Sequence, residues 1–295
     1  MIANDGSHSL ITLAFGLVTV AAVMGFTMWV AVRKEKLTVV DTAWGLGFII
    51  VALVSLFVTG YGDGMPQPQI FLFALVLVWG LRLAFHLNSR NSKAGEDPRY
   101  QQLAEADGRS FAQVALRRVF IPQGVAMWLV SMPVMVGMNN EGLGTVQAWL
   151  GLAVWLVGMF FETVGDWQLA QFKKDPDNKG KIMDRGLWQY TRHPNYFGDA
   201  CVWWGIWIVA ASSWTGVASI IGPIAMTFFL TKVTGAALNE KGMRESKPGY
   251  DEYVRRTSGF IPMPPKHGRD TGPRTPDGTA PRDAAPRDAA QGDAP

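Results

Sequence analysis

Seven ionisable side chains sit in otherwise apolar runs: Asp41, Arg82, His86, Glu162, Asp166, Asp199 and Lys232. Ionisable groups in lipid are costly, and by default they raise a functional reading. Their spacing adds to that reading. Glu162 and Asp166 are four residues apart and share a helix face, as do Arg82 and His86. Asn195, Asp199 and Trp203 follow the same steps, which lines one face with an amide, a carboxylate and an indole. Asp41, Gly45 and Phe48 form a similar stripe, in which Gly45 allows close approach of a neighbour or ligand. Carboxylates paired with basic residues from nearby loops suit the holding of a polar ligand. Taken singly, each residue also has a structural reading. Lysines and arginines near a span end reach the headgroups, which covers Lys232 and Arg82. Asp41 with Thr42 suits a helix start. Acids reach out less well, so the set as a whole points to function.

The elements that must position these groups are membrane spans. The chain has 295 residues, 48% hydrophobic and 17% charged, against about a quarter charged in soluble domains. A bilayer core takes about 20 apolar residues per helix. Seven stretches qualify: 9–32, 38–59, 69–87, 119–138, 146–171, 197–212 and 214–237. Backbone groups in lipid must be satisfied internally, so these runs predict helices. The expected fold is an all-α polytopic membrane protein of seven transmembrane helices over residues 1–262, with a cytoplasmic C-terminal segment. The first apolar run is longer than a signal-peptide core and is read as a retained span.

Lysine and arginine alternate between connections. Arg33, Lys34 and Lys36 lie in the first, six basic residues in the third, and another six in the fifth, while the second, fourth and sixth hold none. The positive-inside rule then places the N-terminus outside and the C-terminus in the cytoplasm. The basic balance, net +3, reflects this topology and is no nucleic-acid signal. The buried charges fall toward the cytoplasmic ends, which describes a cavity open to one side and argues against a channel. Cys201 is the single cysteine and the four histidines are scattered, so no metal site is expected. Within residues 263–295, the stretch PRDAAPRDAAQGDAP repeats PRDAA and has no apolar residue larger than alanine, so a disordered cytoplasmic tail is expected over 263–295.

The fifth connection, FKKDPDNKGKIMDRGLWQYTRHPNYFGD, concentrates four lysines and two arginines beside the cavity. Such a segment attracts anionic headgroups or holds the phosphates of a cofactor, for which arginine has a matching planar fork. Neither a GxGxxG after a strand nor a GxxxxGK[ST] motif is present. Any nucleotide must therefore be held by the helices themselves.

The stretch GLWQYTRHPNYFGD resembles the C-terminal signature of membrane steroid 5-alpha-reductases and of the bacterial membrane proteins grouped as DUF1295. It is also similar to the signature of the sterol C14 and C7 reductases. The resemblance extends over DTAWG (41–45), EDPRY (96–100), FETVGDWQLAQFK (161–173) and YDEYVRRTSGFIP (250–262). It implies a membrane reductase in which NADPH enters from the cytoplasm and hydride goes to a carbon–carbon double bond conjugated to a carbonyl. The substrate would be lipid-like and enter from the bilayer. By motif position the resemblance assigns Asn195, Tyr196, Asp199 and Trp203 to the cofactor, with Asp166 and Lys173 from the preceding span. Arg192, His193, Glu240, Arg244, Tyr253 and Arg256 complete the expected cofactor set.

For catalysis, Asp41 matches the glutamate that such reductases present to the substrate ketone. The third span has Trp79 and His86 but no tyrosine, which leaves His86 or Tyr100 to supply the proton. Two other classes stay open. RHPNY is also similar to the Arg-His-Pro-x-Tyr of isoprenylcysteine and phospholipid methyltransferases, which use S-adenosylmethionine. A non-catalytic lipid-binding scaffold would treat the tryptophans, Trp29, Trp149 and Trp214 among them, as interfacial anchors.

Overall fold

The computed structural model describes residues 2–60, 67–91, 110–233 and 235–266. Tyr100, the EDPRY stretch and the expected tail from residue 267 onward lie outside the described residues. The long apolar runs form helices α1 (Ile2–Lys34), α2 (Val39–Thr59), α3 (Gln67–Asn91), α4 (Phe111–Gly137), α5 (Thr145–Lys174), α6 (Pro194–Ala210) and α7 (Trp214–Val233). Two short helices follow, α8 (Ala236–Ser246) and α9 (Tyr250–Arg256). No strand occurs among the described residues, and the chain is all-helical.

Six helices, α1 to α5 and α7, are long and apolar enough to cross a membrane. The sequence reading counted seven. The remaining stretch, 197–212, is the 17-residue helix α6, which is shorter than the others. Its burial explains its composition. Ten of its residues, from Pro194 to Ala210, are buried, because α6 packs against α3, α4, α5 and α7 at the centre of the bundle. The peripheral helices turn large apolar side chains outward, among them Phe15, Phe26, Phe57 and Phe85. Such a surface suits lipid, and the protein is an integral membrane protein. Trp149 and Trp214 are exposed near helix starts, and Arg33 sits 5.4 Å over the Trp29 ring.

Glycines set how closely two helix pairs approach. A Cβ at Gly205 would stand 2.7 Å from the Gly151 carbonyl oxygen, and one at Gly158 would stand 2.6 Å from that of Gly198. Seven-residue steps on α5 therefore meet seven-residue steps on α6, and the two backbones touch along their length. Helices α2 and α3 meet in the same way at Gly45 and Gly80, where a Cβ at Gly80 would stand 2.7 Å from the Gly45 carbonyl oxygen. Between the pairs lies an aromatic core. Phe48 packs 5.5 Å from Trp79 and 4.6 Å from Trp203, and the two indoles meet edge to face at 5.2 Å.

The end of the bundle formed by the α4–α5 and α6–α7 connections is tied by neutral amides. Gln69 Nε2 donates to the Met138 carbonyl at 2.7 Å, Asn140 Nδ2 to that of Ala210 at 2.9 Å, and Asn139 Nδ2 to Thr12 Oγ1 at 2.9 Å. The first two contacts satisfy carbonyls that helix ends leave without partners.

At the other end, the segment after α9 runs beside the loop before α6. Arg192 N donates to Ser258 O at 2.9 Å, Thr191 Oγ1 to Phe260 O at 2.8 Å, and Met263 N to Tyr190 O at 3.0 Å. Lys266 N donates to Arg256 O at 2.9 Å. Residues 263–266, which the sequence reading placed with the tail, are thus bonded to the folded body. Gly249 precedes α9 in the left-handed region (φ 81°), where glycine is the residue without a steric penalty.

Candidate active site

The close contact of α5 with α6 brings the acidic face of α5 inward. Glu162 and Asp166 lie one turn apart on that face and are 3% and 8% exposed. Helix α3 supplies their partners. The Arg82 guanidinium forks between them, with Nη1 2.5 Å from Glu162 Oε1 and Nη2 2.5 Å from Asp166 Oδ2. Trp79 Nε1 donates to the other Glu162 oxygen at 3.0 Å, and Asn195 Nδ2 donates to Asp166 Oδ1 at 3.0 Å. His86 Nε2 stands 3.5 Å from Asp166 Oδ2. One arginine spanning two carboxylates uses the planar fork that lysine lacks.

Asp199 lies one helical turn beyond Asn195 and Trp203 one turn beyond that. Both are buried, and neither Asp199 Oδ1 nor Trp203 Nε1 has a hydrogen-bond partner among the described residues. A buried polar atom left unpaired costs roughly 1–3 kcal/mol. The two atoms are an acceptor and a donor on one face of α6, beside the charges of Glu162, Arg82 and Asp166 and against the Phe48–Trp79 wall. Trp155 Nε1, Gln69 Oε1 and Asn140 Oδ1 are also unpartnered among the described residues.

A second cluster lies at the start of α6 and involves the C-terminal helices. Arg192 Nε donates to Glu240 Oε1 at 2.9 Å, and its Nη1 donates to the Thr257 carbonyl at 2.7 Å. His193 Nε2 stands 3.0 Å from the same Glu240 oxygen. Burial raises the affinity of the Glu240 carboxyl for a proton. The hydrogen bonds from His193 and Arg192, together with the Arg192 charge, outweigh that and bring its pKa down to about 2. The His193 ring stacks on Tyr196 at 5.4 Å and 11°, and Asn239 Nδ2 donates to the Tyr196 hydroxyl at 2.8 Å. Helix α8 is thereby tied to the first turn of α6.

The expected site residues divide into distinct places. Asp166, His86, Asn195, Asp199 and Trp203 gather in the bundle interior, while Arg192, His193, Tyr196 and Glu240 form the second cluster. Tyr253 and Arg256 bind the loop: Tyr253 Oη donates to the Trp188 carbonyl at 2.6 Å, and Arg256 pairs with Asp184. Burial pushes the Tyr253 hydroxyl well up and that of Tyr250 to about 12, so both stay protonated donors. Arg244 meets Asp251 at 3.5 Å on the surface, and Lys173 is exposed at the end of α5. Asp41 bonds to Arg90 Nη2 at 3.2 Å and Asn91 Nδ2 at 3.5 Å. Arg90 is two helical turns along α3 from Arg82, about 12 Å by helix rise.

The sequence reading singled out Arg82 and Glu162 as buried charges but left them out of the expected site. Their four-residue spacing to His86 and Asp166 was the available signal. The Trp79 contact had no signal, since an indole in a span reads as packing.

Comparison with known proteins supports a family placement. The chain is 38% identical over 78 residues to steroid 5-alpha-reductase DET2 of Gossypium hirsutum, a stretch covering 26% of this chain and 30% of the relative. It is 32% identical over 114 residues to 3-oxo-5-alpha-steroid 4-dehydrogenase 1 of Rattus norvegicus, covering 38% and 40%. It is also 30% identical over 124 residues to probable O-methyltransferase ustE of Ustilaginoidea virens, covering 42% and 38%. The chain thus spans well under half the length of these curated relatives. No solved structure matches it. The family model described as "Protein of unknown function (DUF1295)" matches residues 27–257, which take in α2 to α9 and both clusters, and the chain therefore belongs to the DUF1295 family.

Proposed function

We propose that this protein is a membrane-embedded, NADPH-dependent reductase that delivers hydride to a conjugated carbon–carbon double bond of a lipid-like substrate. One observation carries the reading: the unpartnered pair Asp199 Oδ1 and Trp203 Nε1 beside the Arg82–Glu162–Asp166 network. A nicotinamide carboxamide offers an NH2 donor group and a carbonyl acceptor, the complement of those two atoms. NADPH, when bound, supplies the hydride.

The chain's own residues would do the rest. Asn195, held by Asp166 at 3.0 Å, orients the ring from the first turn of α6. Arg82 keeps both acids fixed, so the site is organised before ligand arrives. His86, beside Asp166, is the group placed to deliver a proton as the carbonyl-conjugated carbon accepts hydride. Asp41, joined to Arg90, is the acid expected at the substrate carbonyl, and Tyr100 is the other expected proton donor. The aromatic wall of Phe48, Trp79 and Trp203 excludes water, and the lipid-like substrate enters between helices. In this reading α6 also crosses the membrane, as the sixth of seven spans, the basic connections and the C-terminus face the cytoplasm, and the N-terminus lies outside.

The direct test is NADPH binding in detergent, followed by the loss of NADPH fluorescence with candidate enones. Asn195→Ala and Asp199→Ala should each abolish binding or turnover, and undiminished binding in both would sink the reading. The similarity to an O-methyltransferase favours a second reading, in which the same cavity takes S-adenosylmethionine. A thermal-shift comparison separates them: stabilisation by S-adenosylmethionine and none by NADPH would reverse the order of preference.

A further inference from the structure

A cavity of about 270 Å3 is lined by Arg192, by the end of α9 and by the segment that follows it. Its lining includes Arg192, Arg255, Arg256 and Lys266, together with Ser258 and Gly259, and holds no acid among the described residues. The acids that pair with these cations are not part of that lining: Glu240 pairs with Arg192, Glu252 with Arg255 and Asp184 with Arg256. They fix the guanidinium planes without filling the cavity.

Several donors remain free. Arg192 spends its Nε on Glu240 and its Nη1 on the carbonyls of Val254 and Thr257, while Nη2 has no partner among the described residues. Nη2 points toward Gly259, where a Cβ would stand 3.3 Å away, so the missing side chain keeps the approach to that nitrogen clear. Ser258 uses its carbonyl to accept from Arg192 N, and its hydroxyl has no partner among the described residues. The Lys266 side chain is exposed and its ammonium has no partner among the described residues.

We propose that this cavity binds a phosphate group. A fixed guanidinium, a lysine and a serine lining one small space make up a donor set that phosphate oxygens take. Size points the same way. Pockets for drug-sized ligands run to roughly 300–1,000 Å3, so this one suits a phosphate group better than a whole dinucleotide. The group could belong to a free phosphate or to an anionic lipid headgroup, and the chemistry at the cavity is the same. The proposal does not rest on the hydride-transfer reading. Because Arg192 also holds Glu240, an occupied cavity would add a second anion to the guanidinium that ties α8 to the signature loop.

The test uses the full chain in neutral detergent, with inorganic phosphate as the first probe and phosphorus NMR line broadening as the readout. Phosphate should broaden on binding. Lys266→Glu should weaken that binding about tenfold or more, the loss of one charge-assisted contact. Gly259→Leu should block it by filling the space beside Arg192. Lys266 is exposed, so its variant should fold, and unchanged helical circular dichroism would show that it does. Vesicles of phosphatidylcholine with and without phosphatidic acid form the second arm. Displacement of inorganic phosphate by phosphatidic acid assigns the site to a headgroup, and no displacement assigns it to a soluble phosphate. Absence of binding by either probe, or binding equal in wild type, Lys266→Glu and Gly259→Leu, would overturn the proposal.

Discussion

The two charge clusters are built in opposite proportions. In the bundle interior, three carboxyl groups (Glu162, Asp166 and Asp199) face one arginine, Arg82. At the loop, one carboxylate, Glu240, sits between Arg192 and His193. The interior cluster lies against an aromatic wall and leaves an acid oxygen without a donor. The loop cluster borders a cavity lined by further cations. An acid-rich site out of water calls for hydrogen-bond donors, whereas a cation-rich one near water calls for an anion. The comparison therefore separates a place for the uncharged, reactive part of a ligand from a place for a charged group.

Removing Arg82 should break the interior cluster with the largest effect. Arg82→Ala strands two buried acids and is expected to cost about 3–5 kcal/mol, read as a drop in thermal unfolding temperature in detergent. Arg82→Lys should recover part of this, since an ammonium cannot fork across both carboxylates. Full recovery by lysine would mean that charge alone matters there.

The loop cluster should respond less, and with a pH signature. Glu240→Ala removes charge-assisted bonds worth roughly 1.5–3 kcal/mol, reduced by partial exposure. The Glu240 pKa falls from its ordinary 4.5 to about 2 in the fold. Its contribution is therefore complete above pH 4.5 and is lost as pH falls from 4.5 toward 2. Proteolytic release of α8 should rise over that window in the wild type and lose that dependence in Glu240→Gln. A flat wild-type profile would show that the contact holds nothing.

Close helix approach should matter to the first cluster only. Gly158→Ala places a methyl against the Gly198 carbonyl and Val202 of α6. It should cost about 1–3 kcal/mol by overpacking and weaken NADPH binding. The acid response of α8 should be unchanged, and a shift in that response would tie the two clusters together. The smallest effect is expected at Arg244, whose pair with Asp251 is exposed. Arg244→Ala should change stability by less than about 1 kcal/mol, and a larger loss by thermal unfolding would mean that Arg244 belongs to the loop cluster.

Much of the fold was legible because membrane helices announce themselves locally. The seven predicted stretches all became helices, with ends displaced by a few residues, most at α4, which starts at Phe111 rather than 119. The standing of α6 was harder to read. Its apolar length invites a span, yet its residues are apolar largely because the other helices cover them. At the site, four-residue spacing identified the faces that carry Glu162 with Asp166 and Asn195 with Asp199. It could not say which faces would meet. Asp41 looked equivalent to the other buried acids, but it lies at the first turn of α2, where the end of α3 supplies Arg90 and Asn91 as partners.

By itself the sequence determined an all-helical membrane protein with its charges crowded toward one set of helix ends, because apolar length and helical period are properties of a single segment. Tertiary structure alone decided that Arg82 spans Glu162 and Asp166, that Trp79 completes Glu162, and that Asp199 and Trp203 keep unpaired atoms inside. Those outcomes depend on how each helix is rotated and how near its neighbour lies. Here that is set by glycine contacts between α5 and α6 and between α2 and α3, which no single segment encodes.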